Sequence, residues 1–273
     1  MENRNTSCRE ISFVIAVLVL LLITSVPAKV FATADYTPSA WAAAKTAIAE
    51  TAGIMPANFG GRPFTADITR RDFCELLIEG CRLFAYPLPE APSVHPFADT
   101  RDEIPEMAYA LGLTSGTAAG VFSPDLPLTR ETAVVMLGRL RLLLQPEIQL
   151  LDKRQAEDIL QRYAEDGGKI SGWAKTAMAD AYFRGIIGGT AIGVLSPLNN
   201  VTREQAVLLT LNTLAYCDAS RLNGAGEAEC YLPAPSGIFI PQSYRQGEVS
   251  LVWGEVPAAA GYEVVVYSGN VPV

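Results

Sequence analysis

Val201-Thr202-Arg203-Glu204-Gln205-Ala206 occurs in related form at two earlier places in the chain. Its counterparts are Ile68-Thr69-Arg70-Arg71-Asp72-Phe73 and Leu128-Thr129-Arg130-Glu131-Thr132-Ala133. All three segments share the pattern apolar-Thr-Arg-x-x-apolar. A Thr in this position is a typical helix N-cap, because its hydroxyl accepts a hydrogen bond from a backbone N–H of the first turn. The pattern therefore predicts three helices whose capping residues are Thr69, Thr129 and Thr202.

A glycine stands 16 or 17 residues before each of these Thr residues and predicts the end of a preceding helix. The glycines are Gly53, Gly112 and Gly185. Glycine is common just after a helix because it adopts the left-handed conformation without strain. Trp41 and Trp173 each stand 12 residues before their glycine, and Thr100 holds that place in the second copy. These spacings predict three helix-loop-helix units.

The Thr-led helices carry apolar stripes that need partners. In the second copy the stripe consists of Ala133, Met136, Leu137, Leu140 and Leu144. A two-helix unit cannot bury such a stripe alone, whereas three units packed together can. We therefore expect a mostly α fold, in which three repeats form a pseudo-threefold bundle around the Thr-led helices, plus a short C-terminal β segment.

The repeated Thr-Arg segment, the Gly-rich loop before it and the Trp-led helix together resemble the S-layer homology (SLH) domain family. The third copy carries the fullest match, with opening stretches at residues 163–166 and 170–174. Phe97-Ala98-Asp99 opens the second copy in the same way. The first copy departs from the pattern, since Tyr36-Thr37-Pro38 contains no acidic residue. The resemblance assigns the repeats to residues 36–85, 94–145 and 156–217.

The resemblance implies non-covalent attachment to a Gram-positive cell wall, through secondary cell-wall polysaccharide bound in grooves between repeats. Such glycans often carry pyruvate ketals, whose carboxylate suits a guanidinium and the free N–H groups of a helix start. Tryptophan suits the apolar face of a sugar, and acidic residues accept from ring hydroxyls. The candidate ligand-binding residues are Arg203, Trp173, Glu165, Arg130, Asp99, Arg70 and Trp41.

Among these candidates, Trp173, Glu165 and Arg203 of the third copy form the favoured site. Arg203→Ala should then weaken wall binding with little change in thermal stability. Two structural alternatives stay open. Each Arg can instead pair with an acidic residue at a repeat opening, and each Trp can be a core residue.

Composition narrows the function classes. The chain has 273 residues, a formal net charge of −8 and 49% hydrophobic residues, which argues against disorder. A pI near 4.8 argues against a nucleic-acid partner, since phosphate neutralisation needs clustered Lys and Arg. With a single histidine, His95, and no CxxC, P-loop or nucleophile elbow, the sequence predicts no metal, no cofactor and no catalytic site.

Residues 1–32 have the pattern of a secretory signal peptide. Arg4 and Arg9 precede an uncharged apolar run at residues 11–28, and small residues follow it. Cleavage after Ala32 or Ala34 fits; an uncleaved anchor helix is the alternative. Removal of residues 1–32 leaves a net charge of −9 and no membrane contact, so we expect a secreted protein of the cell surface.

Beyond a linker at residues 218–234, the pattern changes to short β-type runs. Three strands are predicted, at residues 238–240, 249–253 and 262–267. The spacing of Trp253 and Tyr262 resembles the start of a fibronectin type III domain, so residues 235–273 read as a partial domain of that kind. A self-contained β appendage is the alternative. Cys217 and Cys230 flank a Gly-containing loop and either form a disulfide or stay reduced.

Two other functions fit the same features. The chain can be the N-terminal anchor portion of a larger surface glycan-degrading enzyme. It can also be a structural subunit of a surface layer that combines the anchor with self-association.

Overall fold

The computed structural model describes residues 37–56, 59, 61–90, 95–191, 193–222, 267–268 and 271–272. The chain is mostly helical there. The helices are α1 (Ala40–Thr51), α2 (Arg70–Leu83), α3 (Glu103–Ala110), α4 (Arg130–Leu144), α5 (Lys153–Tyr163), α6 (Lys175–Phe183) and α7 (Arg203–Asp218), with short 3-10 turns at Gly167–Lys169 and Ala219–Leu222. The predicted signal peptide lies outside the described residues.

The helices before the loops, α1, α3 and α6, are here called the lead helices, and each ends at the glycine that the sequence indicates. Gly53, Gly112 and Gly185 have φ values of 73°, 71° and 76°. The residue after each glycine turns back to donate to the carbonyl five positions earlier, at 2.8 to 3.0 Å. These next residues, Ile54, Leu113 and Ile186, are buried, so each helix end is fixed to the core.

The helices that follow the loops, α2, α4 and α7, are here called the Thr-Arg helices. The Thr69 hydroxyl accepts from the Asp72 N–H at 3.1 Å. Thr202 accepts from the Gln205 N–H at 3.3 Å, and the Gln205 side chain completes a capping box. The Thr129 hydroxyl instead lies 2.7 Å from the Thr132 hydroxyl and accepts no first-turn N–H.

The three Thr-Arg helices contact one another at the centre of the core. Each lead helix packs against the Thr-Arg helix of the preceding copy: α3 on α2, α6 on α4 and, across the chain, α1 on α7. Gly80 of α2 allows close approach at this centre, since a Cβ there would lie 3.1 Å from the Leu214 side chain. The helices are thus connected in a cycle.

A ring of three backbone hydrogen bonds closes the same cycle. The Ile68 N–H donates to the Val201 carbonyl at 2.9 Å, and the Val201 N–H donates to the Leu128 carbonyl at 2.9 Å. The Leu128 N–H returns to the Ile68 carbonyl at 3.2 Å. All three residues are buried, so the ring satisfies backbone groups that water cannot reach.

Helix α5 is an addition that the sequence analysis did not predict. It packs against α6 and begins with a capping box between Asp152 and Gln155. Asp-x-x-Gln before a helical segment was a readable signal for it. No helix in the described part of the chain has the length and apolar character that crossing a bilayer requires.

The cysteines of the described helices behave as core residues. Cys74 and Cys81 are fully buried in α2, and burial raises the pKa of both thiols to about 12. Cys217 is buried in α7, whereas Cys230 lies outside the described residues, so their pairing stays a prediction.

The C-terminal β segment is described only in its last residues. Tyr267–Ser268 (β1) pairs antiparallel with Val271–Pro272 (β2). The runs predicted at residues 238–240 and 249–253, and most of that at 262–267, lie outside the described residues. The fibronectin-like assignment therefore stays a prediction.

Candidate functional site

The contacts between a Thr-Arg helix and the next lead helix form three junctions. We name them the Trp41 junction (α7 with α1), the Trp173 junction (α4 with α6) and the Asp102 junction (α2 with α3). In each, the residue after the Arg of the Thr-Arg segment contacts the start of the lead-helix segment. That residue is Glu204, Glu131 or Arg71.

The Trp41 and Trp173 junctions have nearly identical geometry. Glu204 is buried and accepts from the Ser39 N–H at 2.9 Å and the Ser39 hydroxyl at 3.0 Å. Glu131 accepts in the same way from Ser171, at 2.9 and 2.8 Å. Two residues after each Ser stands a tryptophan that is 58% (Trp41) or 61% (Trp173) exposed. The alternative that these tryptophans are core residues is therefore excluded.

At the Asp102 junction the Thr-Arg helix contributes a positive charge in place of a negative one. Arg71 replaces the glutamate, and its Nε donates to the Asp102 carboxylate at 2.8 Å. Its Nη1 pairs with Glu75 of the same helix. Asp102 lies 10 residues before Gly112, whereas Ser39 and Ser171 lie 14 before their glycines, so the segment from the contacting residue to the glycine is four residues, or about one helical turn, shorter in the second copy.

The spacing had indicated that Thr100 is the counterpart of Trp41 and Trp173. The structure shows that it is not. It precedes α3, and its hydroxyl accepts from the Asp102 N–H at 3.1 Å. Counting back from the glycine assumed that the segments before the three glycines have equal lengths, and the four-residue difference in the second copy invalidates that count. In the part of the chain that the structure describes, no tryptophan lies at the Asp102 junction.

The three arginines after the capping threonines are buried, with 6%, 7% and 1% exposure for Arg70, Arg130 and Arg203. Each reaches into the loop of the next copy. Arg70 Nε donates to the Phe122 carbonyl at 2.9 Å, and Arg130 Nη2 donates to the Gly188 carbonyl at 2.7 Å.

Among the described residues, Arg203 is the one of the three that forms an ion pair. Its Nη1 pairs with Asp72 at 2.8 Å, and its Nη2 donates to the Phe59 carbonyl at 2.7 Å. Its guanidinium carbon lies 3.9 Å from the centre of the Phe59 ring. This guanidinium fastens the loop of the first copy to the third, a role that the sequence analysis did not assign.

The first-turn N–H groups of the Thr-Arg helices are also occupied. Arg130 and Glu131 donate their backbone N–H groups to the carbonyls of Asn199 and Pro197, both at 2.9 Å. The same pair of bonds recurs at α2 and α7, at 2.8 to 3.0 Å. The expected anion site at free helix N–H groups is therefore not formed, because the neighbouring loop already caps each helix.

Arg130 differs from Arg203 in its charge environment. Burial lowers the pKa of both groups, but Asp72 opposes this effect at Arg203. Among the described residues, no carboxylate lies within ion-pair distance of Arg130, and its Nε has no hydrogen-bond partner. Of the two, Arg130 retains the greater capacity for an anionic ligand.

The acidic candidates lie on loops. Asp99 is exposed and accepts from the N–H groups of Phe122 and Ser123, at 2.9 and 2.7 Å. These bonds lower its pKa. Ser123 has a φ of 59°, so the carboxylate stabilises a strained turn.

The counterpart of Asp99 in the third copy is Asp166, the residue that follows the candidate Glu165. Asp166 accepts from Leu195 and Ser196 at 2.9 and 2.7 Å, and Ser196 has a φ of 51°. Glu165 is exposed beside Gly193, where a Cβ would lie 3.2 Å from its side chain.

The structure places Trp173 and Arg203, two residues of the favoured site, at different junctions. Trp173 lies at the junction with α4, where Glu131 follows Arg130, whereas Arg203 lies at the junction with Trp41. The sequence analysis also missed Ser39 and Ser171. The repeated Ser-x-Trp in Ser39–Trp41 and Ser171–Trp173 was the signal for them.

Among the described residues, no group of three or more His, Cys, Asp or Glu side chains is arranged to hold a metal ion. The exposed chemistry at the two tryptophan junctions is an aromatic face beside polar groups. Such a surface suits the alternating apolar and hydroxylated faces of a sugar chain.

The S-layer homology domain family matches residues 106–134 and 165–207 of the chain. The match includes the Thr-Arg segments of α4 and α7, and it supports an S-layer homology domain protein with a cell-surface or cell-wall association. An endoglucanase from Bacillus sp. (strain KSM-635) is 31% identical over 160 residues, which are 57% of this chain and 16% of that protein. The chain thus spans about a sixth of that relative's length.

Proposed function

We propose that the chain anchors a secreted protein non-covalently to a Gram-positive cell wall, by binding secondary cell-wall polysaccharide at the Trp41 and Trp173 junctions. The observation that carries the proposal is the pairing, at both junctions, of a mostly exposed tryptophan with a Ser–Glu contact that fixes its helix. The family match supports it independently.

The proposed architecture is a pseudo-threefold bundle of three repeats at residues 36–85, 94–145 and 156–217. Its support is the cyclic hydrogen bonding of Ile68, Val201 and Leu128 and the cyclic packing of the helices. In this arrangement the three grooves are unequal, because the Asp102 junction carries an ion pair in place of an aromatic face.

The Trp173 junction is the better candidate for an acidic glycan, such as a pyruvylated one. Arg130 is the buried cation there without a carboxylate partner among the described residues. A carboxylate brought beside it would gain a charge-assisted hydrogen bond in a region of low dielectric. The net charge of −9 expected after leader removal opposes approach, so affinity would come from such local contacts.

The test is sedimentation of the protein with purified walls, before and after acid extraction of the polysaccharide. The double variant Trp41→Ala/Trp173→Ala should remain in the supernatant of native walls while keeping its melting temperature. Leu126→Ala is the matched control, since Leu126 is similarly exposed, at 53%, but has no ring. Equal binding of native protein to extracted walls would overturn the proposal.

The similarity to an endoglucanase supports a second proposal, that the chain is the anchor portion of a larger surface glycan-degrading enzyme. The expected result is hydrolysis of carboxymethylcellulose by the wall-bound full gene product, with none by residues 1–273 alone. A third proposal, a surface-layer subunit, instead requires ordered assembly of the protein in solution without walls.

A further inference from the structure

A buried ion pair between its Thr-Arg helix, α4, and its lead helix, α6, distinguishes the Trp173 junction from the other two. Arg141 and Asp180 are 1% and 2% exposed, and Arg141 Nη2 donates to the Asp180 carboxylate. The other oxygen of Asp180 accepts from Arg184 Nε at 3.0 Å and from the Leu151 N–H at 3.2 Å. Two guanidinium groups therefore share one carboxylate, which leaves a local excess of positive charge.

The corresponding positions at the other junctions are apolar. Arg141 is 12 residues after Thr129, and the same position is Cys81 in α2 and Leu214 in α7. Asp180 is five residues before Gly185, and the same position is Ile48 in α1 and Met107 in α3. A buried ion pair stabilises a fold no better than a well-packed apolar pair. Folding alone therefore does not explain the charges here.

The Arg141 guanidinium is incompletely satisfied. Its Nε and Nη1 are buried without a hydrogen-bond partner among the described residues. Its guanidinium carbon lies 5.5 Å from the centre of the Tyr216 ring, a contact that offsets only part of this deficit. An unsatisfied buried donor costs about 1–3 kcal/mol, so an acceptor near this group would be stabilised.

A cavity of about 180 Å³ lies between α4 and α6 at this point, and both Arg141 and Asp180 line it. Most of its wall is apolar and includes Val134, Leu137, Leu150, Ala177 and Ala181, with the exposed Trp173 also among its lining residues. An apolar cavity of roughly 150 Å³ is large enough to hold benzene. The cavity therefore has room for a small ring or a short alkyl chain.

We propose that this cavity is a binding site for a small monocarboxylate with an apolar body. The carboxylate accepts hydrogen bonds from Arg141, and the apolar body packs between α4 and α6. The site does not depend on the wall-anchoring proposal, since a free acid can be tested without any wall material.

The test measures the melting temperature and heat of binding of the full chain with sodium benzoate, and with benzyl alcohol as the neutral analogue of similar shape. Benzoate should raise the melting temperature in a concentration-dependent way and bind at least tenfold more tightly than benzyl alcohol. Equal binding of the two compounds, or no response to benzoate, would overturn the proposal.

Two variants identify the group responsible. Arg141→Leu/Asp180→Ile installs the apolar pair found as Leu214 and Ile48, so it should stay helical and lose the benzoate response. Arg141→Met is the second variant, and it should fold because Asp180 keeps Arg184 as its partner. Arg162→Met, at an exposed arginine of α5, should respond like the native protein. Unchanged benzoate binding in folded Arg141→Met refutes the site.

The carboxylate can come from a free acid or from a substituent on a wall glycan, and competition separates these sources. If the glycan supplies it, benzoate should displace the protein from purified walls. If a free acid is the ligand, wall binding should be unaffected by benzoate.

Discussion

The Trp173 junction and the Asp102 junction share a backbone frame but present different chemistry to solvent. In both, the first turn of a Thr-Arg helix donates to the carbonyls of the next loop at 2.9 to 3.0 Å. At one, Glu131 holds Ser171 beside an exposed tryptophan; at the other, Arg71 holds Asp102 in an ion pair. The backbone of a repeat can therefore be kept while its exposed chemistry is changed.

The difference arises because two separate sets of atoms are involved. One set forms the backbone frame, that is, the hydrogen bonds between each Thr-Arg helix start and the next loop, and the other forms the exposed surface of the junction. The frame depends on backbone groups and on the buried arginines, which reach into the next loop. The exposed surface depends on the residue after each Arg and on the length of the segment from the contacting residue to the glycine, which is about one turn shorter in the second copy.

The largest expected effect comes from breaking the frame. Arg203→Ala would remove the hydrogen-bonded partner of Asp72, which would keep Arg71 at 3.8 Å, and would remove the stacking on Phe59, so it should destabilise the fold by about 3 kcal/mol. The sequence alone had led us to expect that Arg203→Ala would change thermal stability little, and the contacts of Arg203 replace that expectation. Urea unfolding followed by circular dichroism measures it.

Arg162→Ala serves as the control for Arg203→Ala, because its exposed pair with Asp158 should contribute no more than about 1 kcal/mol. Equal unfolding midpoints for the two variants would show that Arg203 does not hold the frame.

A smaller effect is expected where the surface alone is changed. Trp173→Ala should weaken wall binding about tenfold, or roughly 1.4 kcal/mol, without lowering the melting temperature. Tyr109→Ala, which removes a 45% exposed ring of α3, should leave wall binding unchanged. Sedimentation with native walls measures both, and a loss with Tyr109→Ala would contradict the contrast between the junctions.

The equivalence of the two tryptophan junctions can be tested through their serines. Ser39→Ala and Ser171→Ala each remove one hydroxyl bond to a buried glutamate, so each should cost about 1 kcal/mol of unfolding free energy. Chemical denaturation should give the same loss for both. A difference larger than about 1 kcal/mol between them would mean that the junctions are not equivalent.

The smallest effect concerns pH. Hydrogen bonds from Phe122 and Ser123 lower the pKa of Asp99 below the ordinary 3.8. Its stabilising contribution is therefore present above pH 3.8 and lost as the pH falls through the lowered value. Asp99→Asn should reduce stability at pH 6, and the gap from the native protein should narrow towards pH 2. A gap independent of pH would exclude this role for the carboxylate.

Much of the fold was predictable from local patterns. The three glycine stops and the three Thr-Arg helix starts were read directly, because a left-handed glycine and an N-cap are properties of a few neighbouring residues. The capping box of α5 was equally local. The shorter segment between Asp102 and Gly112 was not predictable from the sequence. The contact with Arg71 is what identifies Asp102 as the counterpart of Ser39.

The candidate site was predicted less well. Trp41 and Trp173 were named as candidates, but whether their side chains were exposed could not be decided from spacing. The arginines were assigned to the ligand because a guanidinium at a helix start suits an anion. Their carbonyl partners, such as Phe122 and Gly188, lie more than 50 residues away in the chain.

By itself the sequence determined the repeated helix boundaries, the apolar stripes and the residue types available for binding, because these depend on neighbours within a turn or two. The tertiary structure alone decided which groups remain available to a ligand. Cyclic packing brings each loop onto the next helix start, and the nearest carbonyls then take the N–H groups and guanidinium donors. Trp41 and Trp173 stay mostly exposed because no described residue of a neighbouring repeat covers them.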